Sequence, residues 1–236
     1  MRRHLELDAA LDRRLECVPT GRYKMTPTTT NRQFRVREGR QTRDAILTAA
    51  KRLMLIKGYN ATSLDDLLGA SGVGKGSFYH YFESKEDLGY AILDDIVTSF
   101  VERTLDPCFA DPDGRPIAQI RCFLDRVVEA QRERACVGGC PLGNLASEMS
   151  DVHEGFRERL ASVFSVWRER LTLALRDAQR RGDVANDCRV ETVAQFLVAS
   201  LEGAILMTKV SKDIGVMEKC VGELKRYLAI YEPARP

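Results

Sequence analysis

No stretch of the 236-residue chain approaches the roughly 20 unbroken apolar residues needed to span a bilayer. The opening MRRHLELDAALDRRLE likewise lacks the apolar core, roughly 7–15 residues long, of a signal peptide. These two gaps argue against a membrane partner and against secretion, and they make the cytoplasm the expected location. No internal repeat is present, and no run of alternating β-branched residues marks a strand. The seven cysteines form no framework: their number is odd and their spacing scattered, which predicts free thiols in a reducing compartment. Charge of one sign is scarce overall, since 36 Lys and Arg face 34 Asp and Glu. The balance is uneven along the chain, because residues 2–43 carry about twice as many basic as acidic side chains. That tilt favours an anionic partner near the N-terminus.

The composition that remains is ordinary, 44% hydrophobic and 30% charged, and the length suits one large or two modest domains. From Arg40 onward apolar residues recur at three- and four-residue spacing, which predicts an all-α fold. Residues 1–37 read differently. A short helix-like stretch gives way to Pro19, Gly21 and the turn-prone run from Thr26 to Asn31, so a largely disordered basic segment is expected there. Met25 stands just before the part that reads as folded: either translation starts at it, or the preceding residues form a flexible basic arm.

A first helix is expected from about Gln41 to Lys57, with Ile46, Leu47, Ala50, Leu53 and Met54 on one face and Gly58 as its stop. Thr62 or Ser63 caps a shorter helix that ends at Ser71-Gly72, with Asp65 and Asp66 in the first turn where the helix dipole favours acids. A third runs from Lys75 to Tyr81, and Ser84 with Asp87 opens a fourth expected to continue unbroken to about Thr104. Further helices are expected at about Pro116–Arg134, Asn144–Ser150, Glu154–Arg181, Val190–Val210 and Asp213–Tyr227. In the last two, Val193, Phe196, Leu197, Leu201, Ala204, Ile205, Met207, Val216, Cys220 and Leu224 exceed what one buried face needs, which implies a homodimer.

Two short helices joined by a Gly-containing turn are the geometry that seats a recognition helix in the major groove. Here Ser71-Gly72-Val73 is the turn, and Val73 is expected to lock the pair. Gly74 and Gly76 clear the approach to a sugar-phosphate chain, while Tyr79, His80 and Tyr81 offer polar tips on stiff rings. Phe78 and Phe82, four apart, read as core. Lys75 and Lys85 each stand at a helix start, against the dipole, where a phosphate would offset the cost. His80 by itself fits a contact or a plain surface position.

The segment ATSLDDLLGASGVGKGSFYHYFESKEDL, Ala61 to Leu88, resembles the DNA-binding domain of the TetR (tetracycline repressor) family along its whole length. Lys75, Gly76, Tyr79 and Phe82 fill the family's core pattern, and no position departs from it. The resemblance implies an all-helical homodimer on double-stranded operator DNA, with Thr62, Lys75, Gly76, Ser77, Tyr79, His80 and Lys85 facing the duplex. Gly69 to Gly76 also approximates the phosphate loop G-x-x-x-x-G-K-[ST]. However, Gly76 stands where a hydroxyl must hold magnesium, and the residues before Gly69 read as an acidic helix, not a buried strand.

In the C-terminal half, Pro141 suits the first turn of a helix and so places Cys140 at its N-cap, beside unpaired N–H groups. Such a site stabilises a thiolate and can make a cysteine reactive. The stretch from Gly139 to Glu148 is similar to one in a TetR subgroup, some of whose members respond to reactive electrophiles or small unsaturated acids. Two readings stay open: Cys140 senses an electrophile or oxidant with Cys136 as resolving partner, or both line a pocket for an unreactive effector. Trp167 and Phe164 fit a pocket wall or plain core, and Arg121, Glu148 and Arg168 fit a ligand's polar group or one another. Cys136, Cys140 and His153 are three zinc candidates where a structural site needs four. Cys140 with His153 lacks the orienting acid of a catalytic nucleophile. No metal, cofactor or enzymatic activity is expected.

The sequence thus predicts a helix-turn-helix domain at residues 38–85 and a ligand-binding and dimerisation domain at residues 86–231. The expected function is repression of transcription, with release from a palindromic operator by a small molecule or electrophile; the family resemblance implies that the fourth helix is the lever between the domains.

Overall fold

The computed structural model describes the backbone of residues 29–233, with side chains from residue 39. Two compact units are present, residues 1–45 and residues 46–236. The described part of the first is the N-terminal length of α1 (Thr29–Lys57). This helix begins at Thr29 and not near Gln41, so residues 29–37 are helical where disorder is expected from the sequence. Between Pro27 and Gly39 the chain is rich in Arg, Gln and Glu, good helix formers that let an existing helix propagate backwards. Residues 1–28, with Met25 and most of the basic segment, lie outside the described residues.

The second unit is all-helical among the described residues. Its elements are α2 (Leu64–Ser71), α3 (Lys75–Tyr81), α4 (Lys85–Phe100), a π-helical turn (Val101–Leu105) and α5 (Asp106–Phe109), followed by α6 (Pro116–Glu133), α7 (Pro141–Met149), α8 (Glu154–Arg180), α9 (Val190–Ser211) and α10 (Ile214–Ala229). Local chemistry sets several of these bounds. Ser63 caps α2 in a reciprocal box with Asp66, and Gly72 ends the helix at φ 66°, a left-handed conformation that glycine adopts without strain. Ser84 caps α4 by accepting from the Asp87 N–H at 3.0 Å.

The fourth helix is not one continuous α-helix to Thr104. It ends at Phe100 and widens into the π turn, where the Asp106 N–H reaches the Val101 carbonyl five residues back. Pro107 explains the change: its ring cannot sit over the carbonyl four residues earlier, that of Arg103. The Arg126 guanidinium takes up that carbonyl at 2.8 Å.

Two buried clusters hold the unit together. One joins α1 to α4 through Ile46, Leu47, Ala50, Leu67, Phe78, Phe82, Leu88 and Ile92. The other fills the space among α4 to α10, with α9 contributing Val193, Ala194, Leu197, Leu201, Ala204 and Ile205. By length and composition α9 could cross a bilayer, but these buried positions pack it against its helical neighbours. The opposite side of α9 is apolar yet open, with Phe196, Leu206, Met207 and Val210 all exposed.

The cysteines depart from the expectation of free thiols throughout. Cys108 and Cys122 are disulfide-bonded, because α5 and α6 bring their Cα atoms to 5.7 Å. Cys136, Cys140, Cys188 and Cys220 are free.

Candidate DNA-reading face and effector site

Helix α3 is anchored by Phe78 and Phe82, which are 1% and 2% exposed. With that side fixed, Lys75, Gly76, Ser77, Tyr79 and His80 stand in solvent. A Cβ built on Gly74 or Gly76 meets nothing within 4 Å, so both leave open backbone where another chain can approach. Val73 is half-buried and packs on the edge of the same cluster. The face therefore combines a cation, a hydroxyl, open backbone and two polar-tipped rings, the inventory for phosphate and base-edge contacts.

Two residues expected to face DNA lie off the α3 face. Thr62 is fully buried, and its hydroxyl donates to the Gly58 carbonyl at 2.7 Å. Lys85 is half-buried and turned towards the α1–α2 turn, with its ammonium 3.5 Å from the Asn60 carbonyl and 4.5 Å from the Tyr59 ring centroid. Burial lowers the Lys85 pKa, partly countered by the carboxylate of Glu148. Both residues hold the turn that enters the helix pair.

Glu148, singled out as a possible ligand contact, clamps the same turn from α7. Its two oxygens accept from the backbone N–H groups of Tyr59 at 3.1 Å and Asn60 at 2.9 Å. Gly58 is what lets the carboxylate in: its φ is +91°, and a Cβ there would lie 2.6 Å from Glu148 Oε1. Tyr59 is buried against Phe156, and burial followed by the neighbouring Glu86 and Tyr90 pushes its phenol up to about 12.

Cys140 does occupy the N-cap of α7, and its sulfur accepts from the Gly143 N–H at 3.4 Å. Its surroundings work against the predicted thiolate stabilisation. Burial, then the nearby Glu202 carboxylate, push this thiol well above the ordinary cysteine range, and two weak N–H contacts do not offset them. Glu202 is itself raised by burial, and its Oε1 has no partner among the described residues. Cys136 is buried and free, at φ +60° in a loop where Ala135, Gly138 and Gly139 also have positive φ. Trp167 is core: it stacks on Phe100 with centroids 4.1 Å apart and meets Phe164 edge-on. Arg121 pairs with Glu232 and Arg168 bonds Gln195, so neither meets Glu148. His153 lies 3.3 Å from Glu86.

Residues 46–92 match the family described as "Bacterial regulatory proteins, tetR family", and residues 116–222 match "Tetracyclin repressor-like, C-terminal domain". The transcriptional regulator AcuR of Cereibacter sphaeroides is 37% identical over 153 residues, 65% of this chain and 69% of that protein. The chain belongs to the TetR family. A regulatory protein TetR from Rhodobacter sphaeroides has the same fold at TM-score 0.73 and 31% identity, over 79% of this chain and 98% of that one. The reduced form of Escherichia coli NemR is also similar, at TM-score 0.73 and 27% identity, over 83% and 100% of the two chains. As a TetR-family member the protein is a DNA-binding transcriptional regulator, and α2 with α3 is its helix-turn-helix.

In this TetR-family regulator, several residues that sequence reasoning passed over connect the two ends of the second unit. Lys209 of α9 donates to Asn144 Oδ1 of α7 at 3.0 Å, while Asn144 Nδ2 donates to the Gly138 carbonyl at 2.7 Å. Gly138 itself lies so close to α1 that a Cβ there would come within 2.5 Å of Leu55. Next to these contacts is a cavity of about 320 Å³ bounded by α1, α4 and α7. No spacing rule announces such a network, because its members come from segments far apart in sequence.

Proposed function

We propose that this TetR-family protein is a homodimeric cytoplasmic repressor that holds a palindromic operator through two α3 helices and lets go when a small effector binds its helical half. The observation that carries this reading is the division of α3. Its two phenylalanines meet the needs of the protein's own core, and the five positions left in solvent suit a polyanion. Twofold pairing would place two such helices in successive major grooves, roughly 34–36 Å apart. The open apolar side of α9, from Phe196 to Val210, is the surface that pairing would bury. On this reading residues 38–85 engage DNA, through Lys75, Gly76, Ser77, Tyr79 and His80, and residues 86–231 dimerise and take the effector.

The covalent alternative, modification of Cys140, has the N-cap contact from Gly143 in its favour and burial beside Glu202 against it. Non-covalent effector binding is the better-supported mode. Catalysis forms no part of the proposal.

Selection of duplexes from a random pool, with sedimentation of the free protein, tests the reading. The expected results are an inverted repeat bound by a dimer, affinity falling steeply with salt, and release by some member of a metabolite and electrophile panel. Failure to prefer any inverted repeat at low salt, or a protein that sediments as a single chain, would refute it. Release by electrophiles that is lost in Cys140→Ser would restore the covalent mode.

A further inference from the structure

The cavity between α1, α4 and α7 has the size of a small-molecule site, about 320 Å³ against a usual range of roughly 300–1,000 Å³. Its wall is mostly apolar, with Leu55 from α1, Ile92 and Ile96 from α4 and Leu145 from α7. The polar side chains around it are almost all committed elsewhere. Lys51 is ion-paired with Asp95, Asn144 bonds Gly138 and Lys209, and Glu148 holds the turn at Tyr59 and Asn60. The exception is Arg52, an exposed guanidinium on the rim with no acidic partner among the described residues.

We propose that this cavity binds an amphipathic anion, a carboxylate whose alkyl chain fills the apolar space and whose charged end is held by Arg52. An apolar pocket with a single uncommitted cation at its mouth rejects cationic amphiphiles by repulsion and holds neutral ones less firmly, because only an anion completes the guanidinium's hydrogen bonds. The site is also placed to act on DNA binding. Its α7 wall carries Glu148, the clamp on the turn just ahead of α2, so an occupant that displaces α7 loosens the entry to the helix-turn-helix. This deepens the effector-release reading above, with the difference that α1 of residues 38–85 shares the effector site with α4 and α7, and rests on it for its functional consequence.

The test uses the full-length protein and decanoate below its micelle concentration, with 1-decanol and decyltrimethylammonium as comparators, by titration calorimetry. Operator affinity is followed in parallel by fluorescence anisotropy on a selected duplex. Decanoate is expected to bind once per chain, at least about tenfold more tightly than either comparator, and to weaken operator binding. Arg52→Gln, a surface change that leaves the core intact, should erase the preference for the anion. Ile96→Trp, which fills the cavity, should abolish binding while the circular dichroism spectrum is kept. Equal binding of all three probes, decanoate binding unaltered in a folded Ile96→Trp protein, or unchanged operator affinity at saturation would each overturn the proposal. A selected operator released by some other compound but not by decanoate sinks this site and leaves the repressor reading intact. Absence of any operator sinks that reading, while the calorimetry still decides whether the cavity binds the anion.

Discussion

The clamp between α7 and the α1–α2 turn can be measured through Gly58 and Glu148 together. Replacing Glu148 by Ala removes two charge-assisted hydrogen bonds, each worth about 1.5–3 kcal/mol when fully buried. Because Asn60 is exposed and its N–H turns to water instead, the combined loss should be about 2–4 kcal/mol. Gly58→Ala has two costs. A left-handed backbone at φ +91° strains an alanine by about 1–2 kcal/mol. The new Cβ also evicts the carboxylate from a position 2.6 Å away, forfeiting the same hydrogen bonds. In the native background Gly58→Ala should therefore cost about 3–6 kcal/mol, but only the strain of about 1–2 kcal/mol once Glu148 is Ala. The cycle is closed by guanidinium unfolding of the four proteins, followed by circular dichroism with slopes compared. Additivity within about 0.5 kcal/mol would refute the argument, since it would mean that the glycine and the carboxylate act independently.

Three other outcomes are expected. Lys75→Ala should weaken operator binding about equally for matched and mismatched duplexes and reduce the salt slope by about one, in anisotropy titrations at several salt concentrations; a loss confined to one base position would point to base reading instead. Cys122→Ser opens a covalent link spanning 14 residues and should lower stability by about 3 kcal/mol in oxidising buffer, with the difference vanishing in reductant. Burial raises the Cys140 pKa, so above about pH 9 the unfolded chain has lost a proton that the folded one keeps, and stability falls as pH rises. Melting temperatures from pH 7 to 10.5 should fall less steeply in Cys140→Ser than in the native protein, and parallel curves would contradict the burial argument.

Much of the architecture was legible because it rests on local rules. The capping box at Ser63, the glycine stop at Gly72, the paired core residues Phe78 and Phe82 and the proline starts of α6 and α7 all follow from neighbours within a few positions. The misses share the opposite character. Thr62 carries a hydroxyl that suits DNA, yet its bond to the Gly58 carbonyl turns it inward, while Lys85 leans on Asn60 and Tyr59, and no residue pattern records either placement. The reactivity expected of Cys140 was argued from the helix end alone. Burial, and then the carboxylate of Glu202 more than sixty residues later, work against it. The Cys108–Cys122 bond and the early start of α1 were missed for related reasons: the first depends on how two helices meet, and the second on propagation through a segment read as broken.

The π turn after α4 carries one residue more per hydrogen-bonded ring than the helix on either side of it. A surplus residue of this kind can shift along a rod when successive N–H groups exchange carbonyls, without melting the rod. Each such step re-indexes the intervening segment by about 100°, the angular increment of one helical residue. In the segment that follows the helix-turn-helix, Pro107 on one side and the Arg126 contact to the Arg103 carbonyl on the other mark where that surplus residue is held, at Val101–Leu105.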